Sequence, residues 1–351
     1  VNVIAIVTGE RGLREIVRPL AAVGITCHVL DWEVFRREEK RPYLRFLPVV
    51  WGMIRADPRA IVFTDMSSVF LAIILAAAKM HRSPVFLRLR GDPIAETRDQ
   101  LRFHWHHREW PQFLRSIVSW LLDRPLFAVV DHFVPVSDWV VQRRRIQDRA
   151  SIVRIPIAVA DFSPRQHGES RPLRLLSVTN FNYPQKVAAL GRFLENYGEF
   201  LAASDIRATI AGTGIAWSTF RERYEKSAQF PGFVCDVASL YAEHDVFVHF
   251  SDLDAFPYVV LEAQAAGLPV IVNPACGMLE QVEDGVTGFI ADLENRAAVE
   301  NLLLRLRDST SLRSEFGARA RQMVTQRYAP AVIGENLRAC LEPFTRPLPP
   351  P

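Results

Sequence analysis

Cysteine is scarce in this chain of 351 residues, and long apolar runs are missing. Cys27, Cys235, Cys276 and Cys340 lie far apart with no C-x-x-C pair. That argues against a zinc cluster or a disulfide framework and for a reducing compartment, so a cytoplasmic location is expected. Each cysteine is expected as a small core residue. The most apolar stretch, VFLAIILAAA (69–78), is about half the length that a bilayer span needs, which predicts a buried helix. VNVIAIV (1–7) enters a strand pattern with no basic region before it, so no signal peptide is expected. No G-x-G-x-x-G follows that strand, since GERG (9–12) has the wrong spacing, and a nicotinamide dehydrogenase is disfavoured. No finger, helix-turn-helix or RNP pattern points to nucleic acid. His104, His106 and His107 have no cysteine or carboxylate at a suitable ligand spacing, and no metal is expected.

What is present is the composition of an ordinary folded protein, 49% hydrophobic and 23% charged. The length favours two domains over one core. Charge is divided unevenly: residues 1–165 carry 25 Lys and Arg against 17 Asp and Glu, and the remainder 17 against 22. A basic half and an acidic half suggest different partners. Strand and helix signals alternate through the first half, with strands at 1–7, 25–32, 60–66 and 84–92 and further strand-like runs in 127–137. The seam PIAVADFSPRQHGESRP (156–172) reads as a linker. Alternation restarts with strands at 173–181, 206–212, 230–234, 245–251, 269–274 and 283–290. Helices are expected at 186–203, 215–228, 257–267 and about 295–327. Short apolar runs alternating with helices predict parallel sheets covered on both faces. The expected fold is therefore α/β: two Rossmann-like doubly wound domains, 1–163 and 164–329, facing each other across a cleft. A last helix, about 330–345, packs back on the first domain, and 346–351 (RPLPPP) is a disordered tail. In such sheets ligands bind at the carboxyl ends of the strands.

One stretch carries chemistry: SDLDAFPYVVLEAQAAGLPV (251–270). Asp254 falls in the loop after a buried strand. Pro257 suits the first turn of a helix closed by Gly267, and Glu262 lies about one and a half turns inside it. Free N–H groups in the stretch Phe256–Val259, which holds Tyr258 and, without an N–H of its own, Pro257, form an anion site between the two acids. A ligand with a diphosphate in the middle and hydroxyls at both ends, such as a sugar nucleotide, suits that arrangement. A plain helix cap at Asp254 and a backbone-bonded Glu262 account for the spacing equally well.

The D-x7-E pair, LEAQAAGLPVIV and EDGVTGFI together resemble the signature of the retaining GT-B glycosyltransferases, glycosyl transferases group 1. Other features agree in order. GERG, with Gly9 and Gly12, matches the glycine-rich loop after the first strand, and Ser137 in PVSDW the family serine. IPIAVADFSP (155–164) resembles the linker. GTG, with Gly212 and Gly214, matches the turn over the base, and FPGFV, ending at Val234, the loop lining the base pocket. The resemblance implies a nucleotide-sugar donor on the second domain, a saccharide or lipid-linked acceptor on the first, retention of configuration, and no required cofactor or metal. Lys186 in NYPQKV becomes the lysine that clamps the departing diphosphate, where fixed cations lower the barrier.

The chain departs from that pattern in three places. Asn180 stands where the family has a clamp arginine and brings no charge. Asp254 is one methylene shorter than the usual glutamate. Arg90–Gly91 replaces the frequent His-Gly. Arg88 and Arg90 share a strand face, and Arg90 is a candidate for the missing catalytic charge, with Asp92 at an acceptor. The alternative is a structural Arg90–Asp92 or Arg88–Asp92 pair. No dedicated nucleophile stands out, which favours front-face attack. Two aromatic-basic stretches, 35–55 and 101–122, resemble interfacial helices, with Phe103, Trp110, Phe113, Leu114, Ile117, Trp120 and Leu121 as one broad stripe. Peripheral contact with the inner face of the cytoplasmic membrane and an ordinary helix pair packed on its sheet both fit. A sugar-nucleotide epimerase of the same fold and a non-catalytic sugar-nucleotide-binding protein are the competing functions.

Overall fold

VIAIV at Val3–Val7 is apolar at every position, and as strand β1 it is buried at every position. β3 (Ile61–Thr64) and β4 (Val85–Leu89) are likewise buried at every position and are apolar except at Thr64 and Arg88. Strands covered on both faces need near-continuous apolar runs, and these three have them. With β2 (Cys27–Asp31) and β5 (His132–Pro135) they make a sheet in the order β2-β1-β3-β4-β5, parallel throughout. β2, at the edge, is partly exposed. The second sheet has β6 (Leu173–Val178), β7 (Ile206–Ala211), β8 (Gln229–Gly232), β9 (Val246–His249), β10 (Val270–Val272) and β11 (Gly288–Ile290). Its order is β11-β10-β9-β6-β7-β8, again all parallel. Side-chain alternation sends Leu175 and Val248 into one core, with Phe193 and Tyr197, and Leu176 and Phe247 into another, with Val260 and Leu268.

This computed structural model describes residues 2–106, 108–166, 168 and 172–344. The chain divides into two compact units, Val1–Pro156 with everything from Pro330 onward, and Ile157–Ala329. In each sheet the strand order reverses once, between β1 and β3 and between β6 and β9. Reversal points leave a crevice at the carboxyl ends of the diverging strands.

The first unit is held by a buried charge cluster as well as an apolar core. Arg88, on β4, is buried, and its Nε donates to Glu15 Oε2 at 3.0 Å, its Nη1 to the Val153 carbonyl at 2.5 Å. Glu15 sits in a π-helical turn, Leu13–Val17, between the helical segments Gly9–Gly12 and Arg18–Ala22. Burial pushes its carboxyl upward, but Arg88, Arg90 and Arg11 outweigh that and hold it below the ordinary range. The helix Pro330–Leu341 lies against Arg18–Ala22, where a Cβ on Gly334 would fall 2.1 Å from the Pro19 carbonyl oxygen.

Several sequence expectations need correction. Phe127–Val129 end the helix Trp110–Val129 instead of beginning a strand. Of the cysteines only Cys340 is buried, Cys27 and Cys276 are intermediate, and Cys235 is exposed. Residues 346–351 lie outside the described residues.

Gly334→Ala is expected to cost about 1–3 kcal/mol through overpacking. Glu15→Gln, which leaves Arg88 buried without its counter-charge, should cost about 3–5 kcal/mol. Urea unfolding of the two variants against wild type measures both.

Candidate functional site

The carboxyl ends of β6, β7 and β8 surround a pocket of about 360 Å³. Val178, Thr179, Asn180, Gly212, Gly214 and Val234 are among the residues that line it. Backbone packing builds it. Gly212 and Gly214 have φ of +136° and +152°, and a Cβ on them would lie 1.9 Å from the Thr179 oxygen and 2.5 Å from the Asn182 nitrogen. Only glycine fits such a conformation at such an approach. Asn180 Oδ1 accepts from Asn182 N–H at 2.8 Å, and Asn182 Oδ1 accepts from Ile215 N–H at 3.2 Å. Asn180 thus spends its carbonyl on its own loop and keeps its amide as a donor.

Lys186, in the first turn of the helix Pro184–Ala203, meets Asp254, in the loop after β9. Its Nζ donates to Asp254 Oδ1 at 2.7 Å. His249, the last residue of β9, is buried and lies with Nε2 3.1 Å from Asp254 Oδ2. Both carboxylate oxygens are therefore engaged. Burial pushes the Asp254 carboxyl up, yet the His249 hydrogen bond and the Lys186 charge outweigh it and hold the group at about 2. The loop is braced by Ser251 and Asn273, whose side chain accepts from Ser251 N–H at 2.9 Å and donates to its carbonyl at 3.2 Å. Gly277 N–H donates to the Asp254 carbonyl at 3.1 Å. This is the β6/β9 reversal point, and Asp254 is no helix cap.

The helix that follows is Tyr258–Ala265. Pro257 stands before it in extended conformation, not in its first turn, and its carbonyl accepts from Gln281 Nε2 at 3.0 Å. Phe256 is buried with its ring edge-on to Tyr328 at 5.8 Å. Glu262 is not satisfied by backbone alone: Tyr241 Oη donates to its Oε2 at 3.1 Å. Burial first, then the Glu262 charge, drives the Tyr241 phenol well above its ordinary pKa, so it stays a donor. Gly267, at φ +74°, ends the helix as expected.

In the first unit Gly9, Gly12 and Arg90 gather at the β1/β3 reversal. Gly9, at φ +62°, donates its N–H to Asp31 Oδ1 at 3.0 Å. A Cβ on Gly12 would fall 2.5 Å from Val7 Cβ and 2.9 Å from Asp65 Oδ2. That same oxygen accepts from Arg90 Nη2 at 2.7 Å, while Arg90 Nε donates to Glu15 Oε1 at 3.0 Å. Arg90 is thus paired with two carboxylates, and neither it nor Arg88 pairs with Asp92. Asp92 instead accepts from Arg143 Nε at 2.9 Å and Arg144 Nη1 at 3.3 Å. Ser137 is buried, its Oγ capping the helix Asp138–Arg144 through Val140 N–H. His104 pairs with Glu109 at 2.7 Å, His107 lies outside the described residues, and no metal-type cluster occurs among those described.

His249 and Tyr241 were not among the residues singled out from sequence. A histidine at the carboxyl end of the otherwise apolar run DVFVHFS was the available signal for the first. Tyr241 carried none.

Residues 172–309 match the family model described as glycosyl transferases group 1. A viral protein, ORF31 of the isolate Australia/Victoria, which carries a provisional glycosyltransferase name, is 25% identical over 79% of this chain and 83% of its own. A GDP-mannose-dependent alpha-mannosyltransferase of Mycobacterium tuberculosis is 34% identical over 39% of this chain and 36% of its own. Other curated relatives are matched over similarly short spans, 41% and 30% of their length in two cases. Anabaena HepE, solved with UDP and glucose, superposes with a TM-score of 0.68 at 15% identity, over 97% of this chain and 99% of that one. The fold is that of the GT-B glycosyltransferases.

Because its pKa is depressed, Asp254 contributes stability that is fully present above about pH 4 and is lost as pH falls towards about 2. Asp254→Asn should cost about 2 kcal/mol at neutral pH and nothing near the bottom of that window. Urea midpoints across the pH range test this.

Proposed function

We propose that this chain, a glycosyltransferase of the group 1 type whose family match lies in its second unit, transfers a sugar from a nucleoside-diphosphate donor to an acceptor hydroxyl with retention of configuration. One observation carries the reading: the Lys186–Asp254 pair stands at a strand-order reversal, in the same unit as a nucleoside-sized pocket with a glycine-built wall. The pocket receives the base, with Asn180, Gly212, Gly214 and Val234 around it. Glu262, oriented by Tyr241, takes the ribose hydroxyls, and the N–H groups opening the Tyr258–Ala265 helix face the diphosphate. The first unit takes the acceptor, with Gly12 and Asp92 as its candidate contacts; Ser137, buried as a helix cap, is not among them.

Lys186 neutralises the leaving diphosphate. An ammonium has three protons to give, so the lysine keeps its bond to Asp254 while reaching a phosphate oxygen. With Asn180 uncharged, that cation does most of the work, and the charge of Arg90 in the first unit is given to Glu15 and Asp65. Asp254, held at about 2, is a poor base at neutral pH. It orients sugar hydroxyls and steadies positive charge at the anomeric carbon. The acceptor oxygen then bonds to that carbon as its bond to the phosphate oxygen breaks. The electron pair stays on the diphosphate, which also takes the acceptor proton on the same face. His249 is a positioning residue for Asp254.

HepE was solved with UDP, whereas the mycobacterial relative is named for GDP-mannose, so the base is a matter for screening. A donor at about a hundred times its Kd stabilises by about 2.7 kcal/mol, visible as a thermal shift with UDP- or GDP-sugars. Glu262→Ala should abolish that shift. Lys186→Ala should lower kcat about 10²–10³-fold while part of the shift survives. NMR of the product should show the donor's anomeric configuration; an epimer formed from donor alone would replace this reading with the epimerase.

A further inference from the structure

The helix Trp110–Val129 is built inside out. Its buried positions include Ser116 and Asp123, the latter 1% exposed and bonded to Ser68. Its solvent face carries Trp110, Leu114, Val118 and Leu121, with Leu114 61% and Leu121 58% exposed. The spacing of four, four and three residues places these on one stripe, about 16 Å long at 1.5 Å per residue. The stripe expected from sequence is thereby corrected: Phe103, Phe113 and Ile117 turn partly inward.

The stripe has apolar neighbours. The helix Ser68–His81 packs between Trp110–Val129 and Pro42–Ala56. It exposes Met80, and Pro42–Ala56 exposes Leu44 and Leu47. The helices themselves carry only basic charge at the surface, and two of those groups pair with flanking acids, Lys79 with Asp131 at 2.6 Å and Arg45 with Glu39 at 3.8 Å. The three helices contain Arg45, Arg55, Lys79, Arg115 and Arg124, and Asp123 as their one acid, which is buried. An apolar outer face rimmed by arginines, with tryptophan among its exposed groups, fits the boundary of an anionic bilayer. No helix among those described is long and apolar enough to cross one.

The geometry points to this three-helix face as a docking surface for anionic membrane, with Leu114 and Leu121 entering the acyl boundary and Arg115 and Arg124 meeting phosphate headgroups. The inference stands apart from the sugar chemistry and adds a location to it: an acceptor carried on a lipid would be met where it resides.

Sedimentation of the full chain with vesicles of equal phosphatidylglycerol and phosphatidylcholine, against phosphatidylcholine alone, tests it. The wild type should sediment with the anionic vesicles, with a blue shift of tryptophan emission, and be released by salt. Leu114→Gln with Leu121→Gln should weaken partitioning at least about tenfold. Arg115→Gln with Arg124→Gln should weaken it about thirtyfold, the equivalent of about 1 kcal/mol per basic group near such a surface, and flatten the salt dependence. Unchanged thermal melting shows that both variants fold. Failure of the wild type to bind either vesicle overturns the proposal, as does binding indifferent to the leucine pair. A wild-type dimer that the leucine pair makes monomeric overturns it in favour of a second copy. Vesicle binding without any nucleotide-sugar thermal shift would sink the transferase reading and leave this one standing.

Discussion

A single ion pair organises the second unit's chemistry. Lys186 and Asp254 are separated by 68 residues in sequence and brought to 2.7 Å because β6 and β9 are neighbours whose following segments diverge. The crevice that divergence leaves would otherwise hold a lysine and a carboxylate at the cost of desolvating both. His249 makes the arrangement durable by occupying the second carboxylate oxygen, and the Ser251–Asn273 brace fixes the loop that carries it. On the proposed reading a departing diphosphate would bring negative charge to a lysine already in place, so little reorganisation would be needed when the bond breaks.

The two units meet the same topological problem with different chemistry. At the β1/β3 reversal, Arg90 is surrounded by Glu15 and Asp65, and the charges nearly cancel. At the β6/β9 reversal, one cation faces one anion, in the same unit as the glycine-walled pocket. The first arrangement is suited to holding the start of the helical segment Gly9–Gly12 in place, since Asp65 Oδ1 also accepts from Thr8 N–H at 2.9 Å. The second is suited to exchanging partners with a ligand.

The alternation of apolar runs and helices made the doubly wound architecture legible, because buried parallel strands leave a near-continuous apolar signature. The D-x7-E stretch marked Asp254, and the family resemblance marked Lys186. Their mutual contact was invisible, since no local pattern encodes a pairing across 68 residues. RLRGD illustrates the limit in another way. The shared face of Arg88 and Arg90 was readable from alternation, but their partner was not, because Glu15 lies in a helix far upstream and reaches them only through the fold. Ser137 read as a ligand contact and is occupied as a cap. Phe127–Val129 read as strand because an apolar run of that length carries no period by which to separate it from a helix end.

The last helix, Pro330–Leu341, rests on a segment near the start of the chain, with Gly334 against Pro19. The first unit therefore encloses the second in sequence, one of its pieces being translated before it and the other after it. Ile157–Ala329 is contiguous and can close its core as soon as it has left the ribosome, whereas the unit begun first is completed last. During that interval the surface of Arg18–Ala22 that will receive Gly334 lacks its cover on the nascent chain.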